Sequence, residues 1–222
     1  VREQLKQLLK LFDNPQYISD ALYALQRLWL LGLFQIILPE FGKLLALARP
    51  DIIHRYTLDV HAFKAVETFE QLLISEAANW TETRQQVGQL LEWLKVQRLL
   101  WVLSISLLFE PLHELNPVLV KRTLKQLRLN RKQAKLVRWL HQNHEELIEF
   151  MRHRGLFDIE LLSQFNRNIL RKNYERAATL LVFTLAQLHL MRPERYWLFV
   201  EELRPGFKIT PEILKNPQAL RN

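Results

Sequence analysis

Residues 98–111 read Arg-Leu-Leu-Trp-Val-Leu-Ser-Ile-Ser-Leu-Leu-Phe-Glu-Pro. From Leu99 to Phe109 only Ser104 and Ser106 are polar, so neither the alternation of a half-buried strand nor the single stripe of a surface helix fits. The run predicts a helix buried on all sides, closed by Pro111. A helix of that kind needs other helices around it, and it fixes the expectation for the whole chain. At 222 residues, with 49% hydrophobic and 24% charged side chains, the protein has material for one large core. Five glycines and nine prolines supply few of the turns that an all-β fold requires. The fold class we read is all-α, a single bundle of about nine or ten helices.

Working outward from this run, the periodicity predicts helices on both sides. Residues 1–12 carry Leu5, Leu8, Leu9 and Phe12 at helical spacing, and Asp13-Asn14-Pro15 reads as a break. A helix from about Ser19 to Leu38 follows, with Leu22, Leu25, Leu28, Trp29 and Leu33 expected in the interior. A short helix over 41–49 ends before Pro50. A long one runs from Thr57 to Ala78, where Asn79-Trp80-Thr81 provides a stop and a cap, and the next spans 81–96. Beyond the buried run, Asn116-Pro117 is a cap followed by proline at the first helical position, opening a helix to Leu129. Asn130 caps another to Arg154, with Gly155 behind it. Short helices begin at Asp158 and Glu194, a longer one spans 173–191, and Thr210-Pro211-Glu212 caps a last turn.

Six tryptophans, at 29, 80, 93, 101, 139 and 197, fall on apolar faces and are read as core or interface. Zero cysteines exclude disulfides, thiol chemistry and Cys-based zinc sites, and fit a cytoplasmic location. Neither of the most apolar stretches reads as a membrane span. The chain starts at Val1 without an initiator methionine or a leader, and we expect a fragment of a longer protein.

Common catalytic signatures are missing: no glycine-rich phosphate loop, no Gly-x-Ser-x-Gly, no His-Glu-x-x-His. Seven histidines remain, of which His54, His61 and His144 lie near helices that could converge. The formal charge of +8 and a pI near 9.8 favour anionic partners. That charge is concentrated in residues 121–138. Lys121, Lys125 and Arg128 share one helical face, and Arg131, Lys135 and Arg138 share another. Arg122 and Lys132 stand beside them, with no acidic residue in the segment. These eight cations are the candidate anion-binding residues, toward nucleic acid or an acidic protein.

The segment Ile53-His54-Arg55-Tyr56-Thr57-Leu58-Asp59-Val60-His61, preceded by Leu33-Phe34 and Leu38-Pro39-Glu40-Phe41-Gly42, resembles the HD-type phosphohydrolase region of the bifunctional uridylyltransferase/uridylyl-removing enzymes that modify the PII nitrogen-signalling protein. The likeness continues through residues 133–140 to His144, and again through Thr184-Leu185-Ala186-Gln187 to Pro193 and Trp197, covering roughly residues 20–200. It implies a division into N-terminal helices packing on the core at 1–50, an HD-like helical core at 51–204 and a tail at 205–222. It also implies a nucleotidyltransferase domain upstream of Val1.

An HD centre, by that resemblance, needs a His, an adjacent His-Asp pair and a distal Asp, which together hold divalent metal. His61 matches the first. The pair falls on Phe109-Glu110 and the distal Asp on Gln187. Glu110 with His113 one turn later is an alternative ligand pair, and Pro111 is expected to break its geometry. The resemblance therefore implies a degenerate domain with vestigial His61 and His144, no metal, no cofactor and no catalysis by this chain alone. Its partner would be the upstream nucleotidyltransferase domain or a signalling protein. A weaker likeness to the helical bodies of tRNA nucleotidyltransferases and bacterial poly(A) polymerases supplies an RNA-binding alternative, and a protein-interaction scaffold is a third.

Overall fold

The computed structural model describes residues 2–48, 56–75, 82–152, 159–171 and 173–191. Ten α-helices occur among them: α1 (Arg2–Lys10), α2 (Pro15–Leu30), α3 (Leu33–Ile37), α4 (Leu58–Ser75), α5 (Glu82–Val96), α6 (Leu100–Leu115), α7 (Pro117–Gln126), α8 (Arg131–Arg152), α9 (Ile159–Phe165) and α10 (Tyr174–Met191). Leu11–Asp13 and Phe41–Leu44 are 3-10 turns, and Asn166–Leu170 continues α9 as a π-helical turn. No strand forms among the described residues beyond an isolated bridge between Ala48 and Thr57, which anchors the start of α4. None of the described helices is long and apolar enough to cross a membrane.

The expected all-α bundle is the observed fold. Every residue of α6 from Leu100 to Leu112 is buried. Ser104 and Ser106 reside in this apolar cylinder because their hydroxyls donate to the carbonyls of Leu100 and Val102, at 3.0 and 2.7 Å. Around it, α4 and α8 pack on α6, and α10 packs on α4, α6 and α8, closing a ring of walls. The helix α10 is itself buried from Ala177 to Leu188. Helix α2 packs on α3 and α4, where Phe34 of α3, Phe41 of the turn after it and Phe63 of α4 meet edge to face at 4.7 to 5.7 Å.

Local chemistry explains the boundaries, including those where the sequence reading went astray. Asn14-Pro15 opens α2 and does not merely break α1: the Asn14 side chain accepts from the Gln16 N–H, and Pro15 takes the position that needs no donor. The helix read from Ser19 to Leu38 is two helices, divided at Gly32, whose φ of 71° is left-handed. Leu33, past that break, is exposed. Residues 41–44 form a 3-10 turn where a short α-helix was expected. Pro111 does not end α6, which runs on to Leu115. The ring leaves the Leu107 carbonyl without its usual donor, and burial of the whole helix against three neighbours outweighs that loss.

Caps at Asn116 and Asn130 lie where the spacing predicts, accepting from the N–H groups of Val118 and Gln133, and Asn173 caps α10 by accepting from Arg176. Trp101 is buried, and Trp29, Trp93 and Trp139 pack partly buried against the core. His54, Trp80, Trp197, the caps expected at 79–81, Gly155, Asp158 and 210–212, and the tail at 205–222 lie outside the described residues.

Candidate functional site

Four helices bring polar side chains into the apolar centre. Asp59 and His61 come from the first turns of α4, Ser106 and Glu110 from α6, His141 from α8, and Thr184 and Gln187 from α10; all are buried. His61 Nε2 stands 3.8 Å from Glu110 Oε2. Ser106, Glu110 and His113 recur at intervals of four and three, so one face of α6 carries all three. Because α6 continues through Pro111, His113 projects from the same helix as Glu110, which overturns the expectation that the proline would separate them. The His113 ring lies 5.1 Å from that of His141.

His141 Nε2 lies 2.7 Å from the Ser106 carbonyl. A carbonyl only accepts, so Nε2 carries the proton and Nδ1 is a bare lone pair in the interior. Complete burial is the main cause that pushes His141 down to about 3, opposed by the bond to Ser106 and reinforced by His113 and His144. His113 is also lowered, first by burial and then by His144, with Glu145 opposing. The sequence reading missed His141. Its signal is present: it continues the apolar stripe of Val137 and Leu140 on α8, where an imidazole is out of place unless it is buried and bonded.

His144 is half-buried on the same helix, edge-on to Phe183 at 5.5 Å, with Nδ1 3.2 Å from the His141 carbonyl. Phe109 is fully buried hydrocarbon. Gln187 is buried on α10, and its amide nitrogen finds no hydrogen-bond acceptor among the described residues. As a donor set for divalent metal these residues do not fit. Phe109 has no lone pair and Gln187 no charge. Among the described residues, no three His, Asp or Glu side chains are arranged to hold a metal ion.

The eight cations of residues 121–138 are all exposed on the hairpin formed by α7, the connecting loop and α8. Two meet carboxylates: Arg122 reaches Glu40 at 4.0 Å and Lys132 reaches Glu175 at 2.7 Å. Beside the loop of the hairpin opens a cavity of about 340 Å³, lined among others by Lys10, Asp13, Arg98, Trp101, Lys132 and Glu175. Asp13 Oδ1 accepts the Trp101 N–H at 3.1 Å, capping the start of α6, and burial holds its carboxyl above the usual range despite that bond and Arg98.

An all-α bundle with a buried histidine and carboxylate centre is the class that fold and geometry define. No family model matches the chain. Among curated proteins it is similar to bifunctional uridylyltransferase/uridylyl-removing enzymes. That of Zymomonas mobilis is 27% identical over 191 residues, covering 83% of this chain and 20% of the relative. The enzyme of Hydrogenovibrio crunogenus is 25% identical over 188 residues, covering 81% of this chain and 20% of the relative. That of Photobacterium profundum is 20% identical over 233 residues, covering 96% and 25%. The chain thus spans a fifth to a quarter of the length of these relatives.

Proposed function

We propose that residues 51–204 are a degenerate HD-like body of a uridylyltransferase/uridylyl-removing type of protein, with residues 1–50 packed on it and 205–222 as a tail. In this reading the body supports or regulates a nucleotidyltransferase domain, or receives a signalling protein such as PII, and the uridylyl-removing chemistry is lost. The observation that carries it is the His61–Glu110 pair: the imidazole aligned with a metal ligand sits against a buried carboxylate at 3.8 Å. Phe109 and Gln187, at the other aligned positions, support it from the side of ligand chemistry.

Thermal unfolding of the chain in EDTA and then in Mn²⁺ tests the reading. A native site saturated a hundredfold above its Kd would add about 2.7 kcal/mol. No shift is expected, and no Mn²⁺-dependent cleavage of a model phosphodiester; either effect would overturn the loss of the centre. The combined substitution Phe109→His, Glu110→Asp, Gln187→Asp restores the donor types that the resemblance requires. It is expected to unfold more easily than the parent in EDTA and to recover with Mn²⁺. A folded restored chain that ignores Mn²⁺ would count against the HD reading itself.

A further inference from the structure

We infer that the α7–α8 hairpin and the cavity beside its loop form a surface for the phosphodiester backbone of nucleic acid, engaged without regard to sequence. Between Glu114 and Glu145 the chain carries no carboxylate, while cations recur along α7, through the loop and along α8. Lys121 and Lys125, and likewise Arg131 and Lys135, are one helical turn apart, about 5–6 Å between side-chain origins, so each helix presents a row of positive charge. Six of the eight cations have no carboxylate within ion-pair distance among the described residues. The row continues into the cavity through Lys10, Arg98 and Lys132. Its two carboxylates are already engaged, Asp13 by the Trp101 N–H and Glu175 by Lys132.

The loops that frame this surface are fixed. Arg128 closes α7 in the left-handed region at a φ of 52°, with its N–H on Lys125 and that of Leu129 on Leu124; Arg98 closes α5 in the same way at 55°. Glycine is the residue that such helix ends favour. Here both ends instead carry a guanidinium, one in the cavity and one at the hairpin tip. Lys6 pins the tip by donating to the Arg128 carbonyl at 3.0 Å.

What the surface lacks chooses the partner. A protein interface has an apolar centre inside its polar rim. On the hairpin from Leu119 to Leu140 no large hydrophobic side chain is strongly exposed, and the exposed Leu115 and Val118 lie at the far end of α7 from the loop. A phosphate backbone needs no such centre. With no exposed aromatic ring among the cations, there is also no platform for stacking bases, so the contact is to the backbone.

Binding of a labelled 20-base-pair RNA duplex, and of a DNA duplex of the same length, across a salt series tests this. Six phosphate contacts correspond to a log–log slope near −5 and to about a thousandfold weaker binding at 200 than at 50 mM salt. The variant Lys125→Glu, Arg128→Glu, Arg131→Glu is expected to lose at least tenfold in affinity and to flatten the slope by about three. The control is Lys43→Glu, Lys64→Glu, Lys95→Glu, equal in charge change, at lysines already paired within their own helices or turns. Matching thermal midpoints verify folding of both variants. An equal loss in the control, which would reduce the effect to net charge, overturns the inference. So does absence of duplex binding, or stronger capture of polyglutamate than of either duplex, which would mark an acidic protein as the partner. Preference between RNA and DNA identifies the source of the phosphates.

Discussion

His61 and Glu110 face each other at 3.8 Å across the contact between α4 and α6, each side chain only 3% exposed. Two groups that carry charge so readily have been withdrawn from water together. Removing one member of a buried pair typically costs about 3–5 kcal/mol, whereas replacing both with apolar groups of similar volume is near neutral. His61→Phe and Glu110→Met are therefore each expected to lower the urea midpoint strongly, while the double variant recovers most of the loss. Additive losses in the cycle would refute the coupling.

His141 makes stability depend on pH in one direction. Its folded value, near 3, lies below the ordinary 6.5, so the unfolded chain takes up a proton that the folded chain refuses. Stability is level above about pH 6.5 and is lost as the pH falls toward 3. His113 and His189, also lowered by burial, act in the same sense. The slope that His141 contributes between these limits approaches one proton, about 1.4 kcal/mol per pH unit. Denaturation of His141→Gln from pH 4 to 7 is expected to give a flatter curve, and an unchanged slope would refute the assignment.

Asp13 separates capping from charge. Its carboxyl is raised, so above its folded value the ionised form weighs against the folded state relative to the unfolded one. Asp13→Asn keeps an oxygen for the Trp101 N–H and removes the charge, and is expected to match or exceed the parent at pH 7. Asp13→Ala removes the cap and is expected to cost about 1 kcal/mol. The thermal midpoints of the two variants, measured side by side at pH 7 and pH 3, check the order.

What the sequence made legible was what local chemistry decides. The asparagine caps at 116 and 130 are read within four residues, and the burial of α6 follows from its composition alone. Pro111 resisted reading because its tolerance is set by α4, α8 and α10, none of them its neighbours in sequence. Asn14-Pro15 admits two readings, the end of one helix or the start of the next, and the cap on Gln16 decides between them. His61 could be singled out by resemblance, but its partner Glu110 belongs to another helix, and periodicity says nothing of which carboxylate an imidazole will meet. His141 was missed for the same reason, since the Ser106 carbonyl that holds it is a backbone group that no side-chain pattern advertises.

The complete burial of α6 also bears on how the chain is made. Synthesis runs from α4 through α6 to α8 and α10, so this thirteen-residue apolar cylinder leaves the ribosome with α4 available and its later walls unmade. At about 5–20 residues per second, α10 follows on the order of ten seconds afterwards. During that interval α6 is a sticky segment without a home, the natural client of a chaperone at the exit tunnel. A message truncated before α10 would yield a product that aggregates.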